Sequence, residues 1–253
     1  MLVCLPAAAD SEAAAGEQGY IRFSLIVPEM DFRLDYHGRK ADGTVKTKFL
    51  DESTSSSGDM VPWLSAGVRV RGPFWVGGDY LSFRGEGTGK VGKRVYLGPF
   101  SFFVNAPTTD TYTFDIGRAW VGYRAQESES ESLMALGGVT VVKARAKATV
   151  PGLVQESVDG VLALPMLGIR YSRAGPYVTR WLLEADYGYI GHDDIYGQAT
   201  NFSLSVEKPF AKSFSAGVGY KYYKIMANAD RTKYDAQVDQ KLTGLFFFAN
   251  YVF

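Results

Sequence analysis

Two histidines, one cysteine and a set of evenly spaced charges are the side chains of this 253-residue chain best suited to chemistry. His192 stands before Asp193 and Asp194, the only acid–imidazole cluster, while His37, Asp31, Asp35 and Glu86 lie in segments that could bring them near it. A metal centre needs ligands at a fixed spacing such as His-x-x-x-His, and none occurs, so no metal or cofactor is expected. Nucleophilic catalysis needs a serine or cysteine beside a base. The Ser53, Ser55, Ser56, Ser57 run has no histidine near it, and no nucleophile–base spacing is recognisable. The chain is therefore read as a non-enzyme, with no catalytic residue assigned.

The charges form a more coherent set. Arg22, Arg69, Arg71, Arg170, Arg180 and Lys221 on one side, and Asp31, Glu184, Asp186 and Glu207 on the other, each occupy every-other-residue positions between apolar neighbours. If the elements carrying them turn these positions to a common interior, two readings are open. They form salt bridges that fill it, because buried ions must be paired, or they line a narrow polar channel and set its selectivity.

The elements that position them are strands. No stretch approaches the roughly 18–20 consecutive apolar residues that a membrane-spanning helix requires. Aromatics at 14%, 16 Tyr and 28 Gly instead go with alternation of apolar and polar residues. Ten strands are expected, at 20–37, 61–71, 74–87, 110–124, 132–148, 160–173, 177–192, 197–208, 213–227 and 240–253. In 177–192 the row Tyr177, Thr179, Trp181, Leu183, Ala185, Tyr187, Tyr189 alternates with Arg180, Glu184 and Asp186, and it begins and ends in aromatics as an interfacial girdle does. The apolar rows slip phase at Pro28-Glu29, where Ile21, Phe23, Leu25, Val27 give way to Met30, Phe32, Leu34, Tyr36, and again near Gly117. A slip of one residue at a Pro reads as a β-bulge, where the missing N–H costs least. The register of 74–87 stays open.

Such rows suit a closed antiparallel up-and-down transmembrane barrel, apolar outside and polar inside. A sheet in hydrocarbon can leave no backbone edge unpaired, so first strand must meet last. The rival is a soluble sandwich or lipocalin-like barrel with its faces inverted. Small inner residues such as Ser203, Ser205, Gly217 and Gly219, together with the aromatic bracketing, favour the membrane form. Connections also alternate in length. Those at 38–60, 88–109, 149–159, 193–196 and 229–239 are taken as extracellular loops, and those at 72–73, 125–131, 174–176 and 209–212 as periplasmic turns. The apolar run 95–104 either folds inward as a plug or extends the barrel above the membrane. On strand five, Lys143, Arg145 and Lys147 continue the lipid-facing row toward the extracellular end, where they would pair with lipopolysaccharide phosphates unless a bulge or loop removes them. With 27 basic and 27 acidic residues, nucleic acid is not an expected partner.

Residues 1–9, with Ala7-Ala8-Ala9 as an A-x-A cleavage site, are expected to be the remnant of a signal peptide lacking its basic region. Residues 10–19 would be a periplasmic lead-in and 20–253 the barrel domain.

The last strand, with Leu245, Phe247, Ala249, Tyr251 and Phe253 at alternate positions, resembles the C-terminal assembly signal of bacterial outer-membrane β-barrels. With 61–70 and 216–222, it makes the chain resemble the small porin-like outer-membrane barrels of Gram-negative proteobacteria. The resemblance implies the outer membrane as location, with its lipid, lipopolysaccharide, periplasmic chaperones and the barrel assembly machinery as partners. It implies no solute and no oligomeric state. Omptin-type proteases are also ten-stranded and use rim Asp and His residues, but here the order is His-Asp-Asp and the segment after strand three reads Gly85-Glu86-Gly87-Thr88-Gly89-Lys90, a poor match. A structural barrel or narrow porin-like channel is thus expected, the alternative being a surface enzyme (omptin-like protease or lipid hydrolase) or adhesin acting through 38–60 and 88–109.

Overall fold

The computed structural model describes residues 18–39, 45–55, 60–97, 100–128, 130–150, 154–192, 195–231 and 234–253. Eleven strands follow one another: β1 (Gly19–Arg39), β2 (Val45–Ser55), β3 (Val61–Arg71), β4 (Phe74–Leu97), β5 (Phe100–Glu127), β6 (Glu131–Val150), β7 (Val154–Gly175), β8 (Thr179–His192), β9 (Ile195–Ala211), β10 (Phe214–Arg231) and β11 (Tyr234–Val252). All pair antiparallel, each with its neighbours, and β11 returns to β1. β2 lies against the upper part of β1 and β3 against its lower part, so these two share one position in the ring and the barrel has ten staves.

The start of β1 and the end of β11 close the ring: the N–H groups of Gln18 and Gly19 donate to the Phe253 carbonyl at 2.7 and 2.9 Å, and Phe253 N–H donates to Gly19 O at 3.0 Å. At this same end the reversals are tight. Gly72 adopts φ +52°, a conformation open to glycine at little cost. Between β7 and β8, Pro176–Val178 form a single 3-10 turn in which Tyr177 and Val178 also take positive φ. Barrels of this kind start their first strand and end their last on the periplasmic side, which orients the molecule.

Outward residues of the lower part form an apolar belt, from Ile21 and Phe23 on β1 through Val76, Val121, Val139, Ile169, Leu204 and Val218 to Leu245 and Phe247 on β11, all exposed. Aromatic rings edge it. Below, Phe214 packs on Tyr251 with centroids 4.9 Å apart, and Phe74 on Tyr123 at 5.5 Å. Above, the Tyr80 and Tyr196 hydroxyls donate to Asp115 Oδ1 at 3.0 Å and Gln198 Oε1 at 2.9 Å. A ring in hydrocarbon with its hydroxyl in the polar layer is the expected interfacial arrangement. The expected closed ten-stave barrel is therefore observed.

Several local expectations are corrected. Stretches expected as loops contain paired backbone: β2 occupies 45–55 within 38–60, and β4 and β5 run unbroken through 88–97 and 100–109 to the pair Leu97↔Phe100. Residues 95–97 and 100–104 extend the barrel. β5 has 28 residues, roughly 90 Å of strand at about 3.3 Å per residue, whereas a tilted crossing needs only about 9–11. Nor does any bulge occur at Pro28 or Gly117: β1 stays in register with β11 from Tyr20↔Val252 to Gly38↔Tyr234, and β5 shifts against β6 only between Arg124 and Gln126. Met30 and Phe32 consequently point inward and are buried. Tyr177, expected to begin an outer row, sits on the turn instead.

Candidate functional site in the barrel lumen

Strand alternation turns Asp79 of β4, Arg118 of β5, Arg170 of β7, Glu184 and Asp186 of β8, Asn201 of β9 and Lys221 of β10 into one buried network. Arg118 is its hub. Its Nε donates to Asp79 Oδ1 at 2.7 Å, its Nη2 to Glu184 Oε1 at 2.6 Å, and its Nη1 to Asp186 Oδ2. Arg170 forks onto the second oxygen of Glu184, with Nε at 3.0 Å and Nη2 at 2.6 Å, and reaches the Tyr20 hydroxyl with its other amine. Asn201 donates to Asp186 at 2.7 Å and accepts from Lys221 Nζ at 2.9 Å. Lys221 Nζ also lies 3.7 Å from the centre of the Trp63 ring.

Toward the periplasm a second group follows. Arg22 and Arg180 share Glu207 at 3.5 and 3.7 Å, and Arg180 donates to Ser172 Oγ at 3.0 Å. At the rim, Arg69 and Arg124 both hold Glu127 and stack on Trp75, with guanidinium carbons 5.5 and 4.3 Å from the ring centre. Trp120 lies beneath Arg170 at 4.8 Å. Planar guanidinium groups both fork onto carboxylates and stack on rings, so they can satisfy charge while filling a bore.

Above the network the interior is apolar. Ile26, Met30, Phe32, Trp63, Phe83, Tyr112, Phe114, Ile225, Leu242 and Phe246 belong to one buried cluster. Phe32 stacks on Tyr112 at 4.5 Å and Phe83 on Phe114 at 5.3 Å. The Tyr112 ring lies where a side chain at Gly85 would be, within 2.2 Å of a Cβ there, so the glycine is what admits it.

Of the charges expected in the lumen, Arg22, Arg69, Arg170, Arg180, Glu184, Asp186, Glu207 and Lys221 face inward. Arg71 does not: it is exposed at the end of β3, beside the turn. Asp31 faces outward, 3.5 Å from Lys241 Nζ, because β1 lacks the expected bulge. Asp79, Arg118, Arg124 and Glu127 were missed. Counting back from Trp120 by twos reaches Arg118, but the assumed slip at Gly117 hides that register.

Lys143, Arg145 and Lys147 do lie outside, in line with Val139 and Val141, and β6 has no register shift there. Leu245, Phe247, Tyr251 and Phe253 form an exposed outer row. The side chains of His37 and His192, and Asp193 and Asp194 altogether, lie outside the described residues, as do residues 1–17. Among the described residues no cluster of His, Cys, Asp and Glu is arranged to hold a metal ion.

No family model and no curated protein matches this chain. Among solved structures, the outer-membrane protease OmpT of Escherichia coli is similar with a TM-score of 0.60 at 8% identity, over 93% of this chain and 97% of that one. The transport unit of the autotransporter AIDA-I from Escherichia coli follows at 0.43 and 10% identity, over 100% and 93%. The attachment invasion locus protein Ail of Yersinia pestis gives 0.39 at 13% identity, over 91% and 99%. At such identities the likeness to OmpT concerns the fold alone. Fold and lipid-facing belt together define an integral outer-membrane β-barrel.

Proposed function

We propose that this chain is a closed, structural barrel of the Gram-negative outer membrane that carries an extended strand surface above the bilayer and passes no solute. The observation supporting this reading is the filled bore: an aromatic core lies over a paired charge network, and Trp75, Phe114, Lys221, Phe246 and Gln240 are all fully buried within it. Planar-bilayer recording of the refolded protein tests it. No conductance steps are expected, and discrete steps would restore the narrow porin-like channel.

A second element of this proposal concerns partners. Arg145 and Lys147 are exposed, and Lys143 half-buried, on the outer face directly above the apolar belt. Cations at that level suit the phosphates of lipopolysaccharide through charge-assisted hydrogen bonds. Replacing all three by Gln should abolish lipopolysaccharide-dependent thermal stabilisation; an unchanged difference between melting curves with and without lipopolysaccharide would remove these contacts. Leu245, Phe247, Tyr251 and Phe253 we assign to recognition by periplasmic chaperones and the barrel assembly machinery, and Phe253→Ala should slow membrane insertion in a reconstituted assembly assay.

A further inference from the structure

At the periplasmic edge of β8–β11 the outer wall passes from apolar to cationic. The outward row of β9 runs Leu204, Val206, Lys208, and the turn into β10 carries Lys212; both lysines are exposed. Neither has an ion-pair partner among the described residues. No acidic side chain occurs in the three segments that build this edge, 174–183, 208–220 and 245–253. Glu207, next to Lys208 in the chain, points into the bore and stands between Arg22 and Arg180. Elsewhere on the same rim, Arg69 and Arg124 share Glu127, and Arg173 lies 3.6 Å from Glu131.

A second observation concerns shape. The pairing of β9 with β10 passes from Ser215↔Pro209 to Phe214↔Ala211, so Phe210 is skipped and bulges out between the two lysines. Its ring is 68% exposed and stacks on Phe214 with centroids 6.3 Å apart, and Phe214 packs on Tyr251 at 4.9 Å. Just above this row of rings, Lys208 pairs with Ala216 and Ala216 with Ala249, and both alanines are exposed. Val218 and Phe247 pair above them. Two small residues between two rows of larger ones leave a trough about two strand spacings, roughly 10 Å, in length, with an ammonium at one end. Apolar walls of this kind gain by meeting an acyl chain, while the flexible lysine stems reach the headgroup level.

We infer that this edge is a binding site for an anionic glycerophospholipid of the periplasmic leaflet, its phosphate held by Lys208 and Lys212 and one acyl chain lying in the trough over Ala216 and Ala249. The unmatched lysine pair selects a headgroup of net negative charge, because a zwitterionic one brings an ammonium of its own. The site rests on the outer-membrane placement and is independent of whether the bore passes a solute or what the cations above the belt contact.

The protein carries its own probe for the test. Of its four tryptophans, Trp63, Trp75 and Trp120 are buried in the bore, whereas Trp181 is exposed and pairs with Val206, next to the site. The full chain is refolded into phosphatidylcholine vesicles, and quenching of tryptophan fluorescence by brominated phosphatidylglycerol is compared with quenching by brominated phosphatidylcholine. The anionic lipid should associate at Trp181 with a preference of about fivefold for each lysine. Lys208→Gln and Lys212→Gln together, both at exposed positions, should bring the ratio close to one. Arg71→Gln, exposed at the same rim but four staves away, should leave it unchanged. A wild-type ratio near one, a preference that survives the double substitution, or an equal loss in Arg71→Gln would each overturn the site. So would displacement of the brominated lipid by soluble glycerol phosphate, which would assign the lysines to a free anion. Bilayer conductance is a separate measurement, so the closed-barrel reading and the lipid site can fail independently.

Discussion

Below the upper tyrosines the wall of this barrel is apolar outside and charged inside, whereas above them the same alternation carries the opposite content. On β1, Ile21 and Phe23 face lipid with Arg22 between them pointing inward; farther up the same strand, Glu29, Asp31 and Arg33 face out while Met30 and Phe32 point in. β5 and β6 repeat the exchange. Val121 and Tyr123 are exposed and Arg118 buried in the lower part, and Tyr112, Phe114 and Ile116 are buried in the upper part. Val139 and Val141 give way on the outer row of β6 to Lys143, Arg145 and Lys147. The pleat is continuous; what changes is the solvent outside. Hydrocarbon takes apolar side chains and leaves the charges to pair within the bore, while water above the belt takes the charges, such as Lys224 and Asp239 at 3.6 Å, and leaves the apolar rows to pack against one another. The lower half is thus a membrane barrel and the upper half a soluble one, built from the same strands.

That comparison can be broken at several points. Arg118→Leu removes the cation shared by three buried carboxylates, and should destabilise the barrel by about 3–5 kcal/mol in urea unfolding from detergent; near-wild-type stability would mean the lower network is not what fills the bore. Phe114→Ala, its counterpart above, should cost a similar amount, about 3–5 kcal/mol, by leaving a cavity, and the two losses should add because four residues of β5, roughly 13 Å, separate the sites. On the outer surface the halves should part company. Val218→Arg, in the middle of the belt, should cost about 2–4 kcal/mol in a lipid-bilayer refolding equilibrium, but Asn228→Arg above it, opposite Gln237 and Tyr196, should stay within about 0.5 kcal/mol. Equal penalties would show that the upper outer face also meets lipid. The smallest effect should be a gain. Val178 holds φ +59° in the turn before β8, a strained conformation for a β-branched residue, and Val178→Gly should stabilise by about 1 kcal/mol, read as a higher unfolding midpoint.

Much of the lower half was legible from residues alone. The β3 row Leu64, Ala66, Val68, Val70 and the β10 row Phe214, Ala216, Val218, Tyr220 face out as alternation requires, and eight of the expected lumen charges face in. The upper half was misread where its content inverts. A bulge at Pro28 would hold Met30 and Phe32 on the lipid side, and a slip near Gly117 hides the inward register of Arg118, yet neither β1 nor β5 shifts register there. Lys143, Arg145 and Lys147 carried the correct signal, since charges entering an outer row mark the edge of hydrocarbon and not a change of face.

Period-two alternation, the lack of any helix-length apolar run and the aromatic bracketing were enough to determine a closed antiparallel ring for a membrane, because those are properties of single strands and of the backbone's need for partners. Which face of each strand meets which environment at each height was decided only by the tertiary structure. That depends on how far a strand extends beyond the bilayer and on which side chains meet across the bore, as Arg118 of β5 meets Asp79 of β4 and Glu184 and Asp186 of β8, and one strand's sequence contains neither distance.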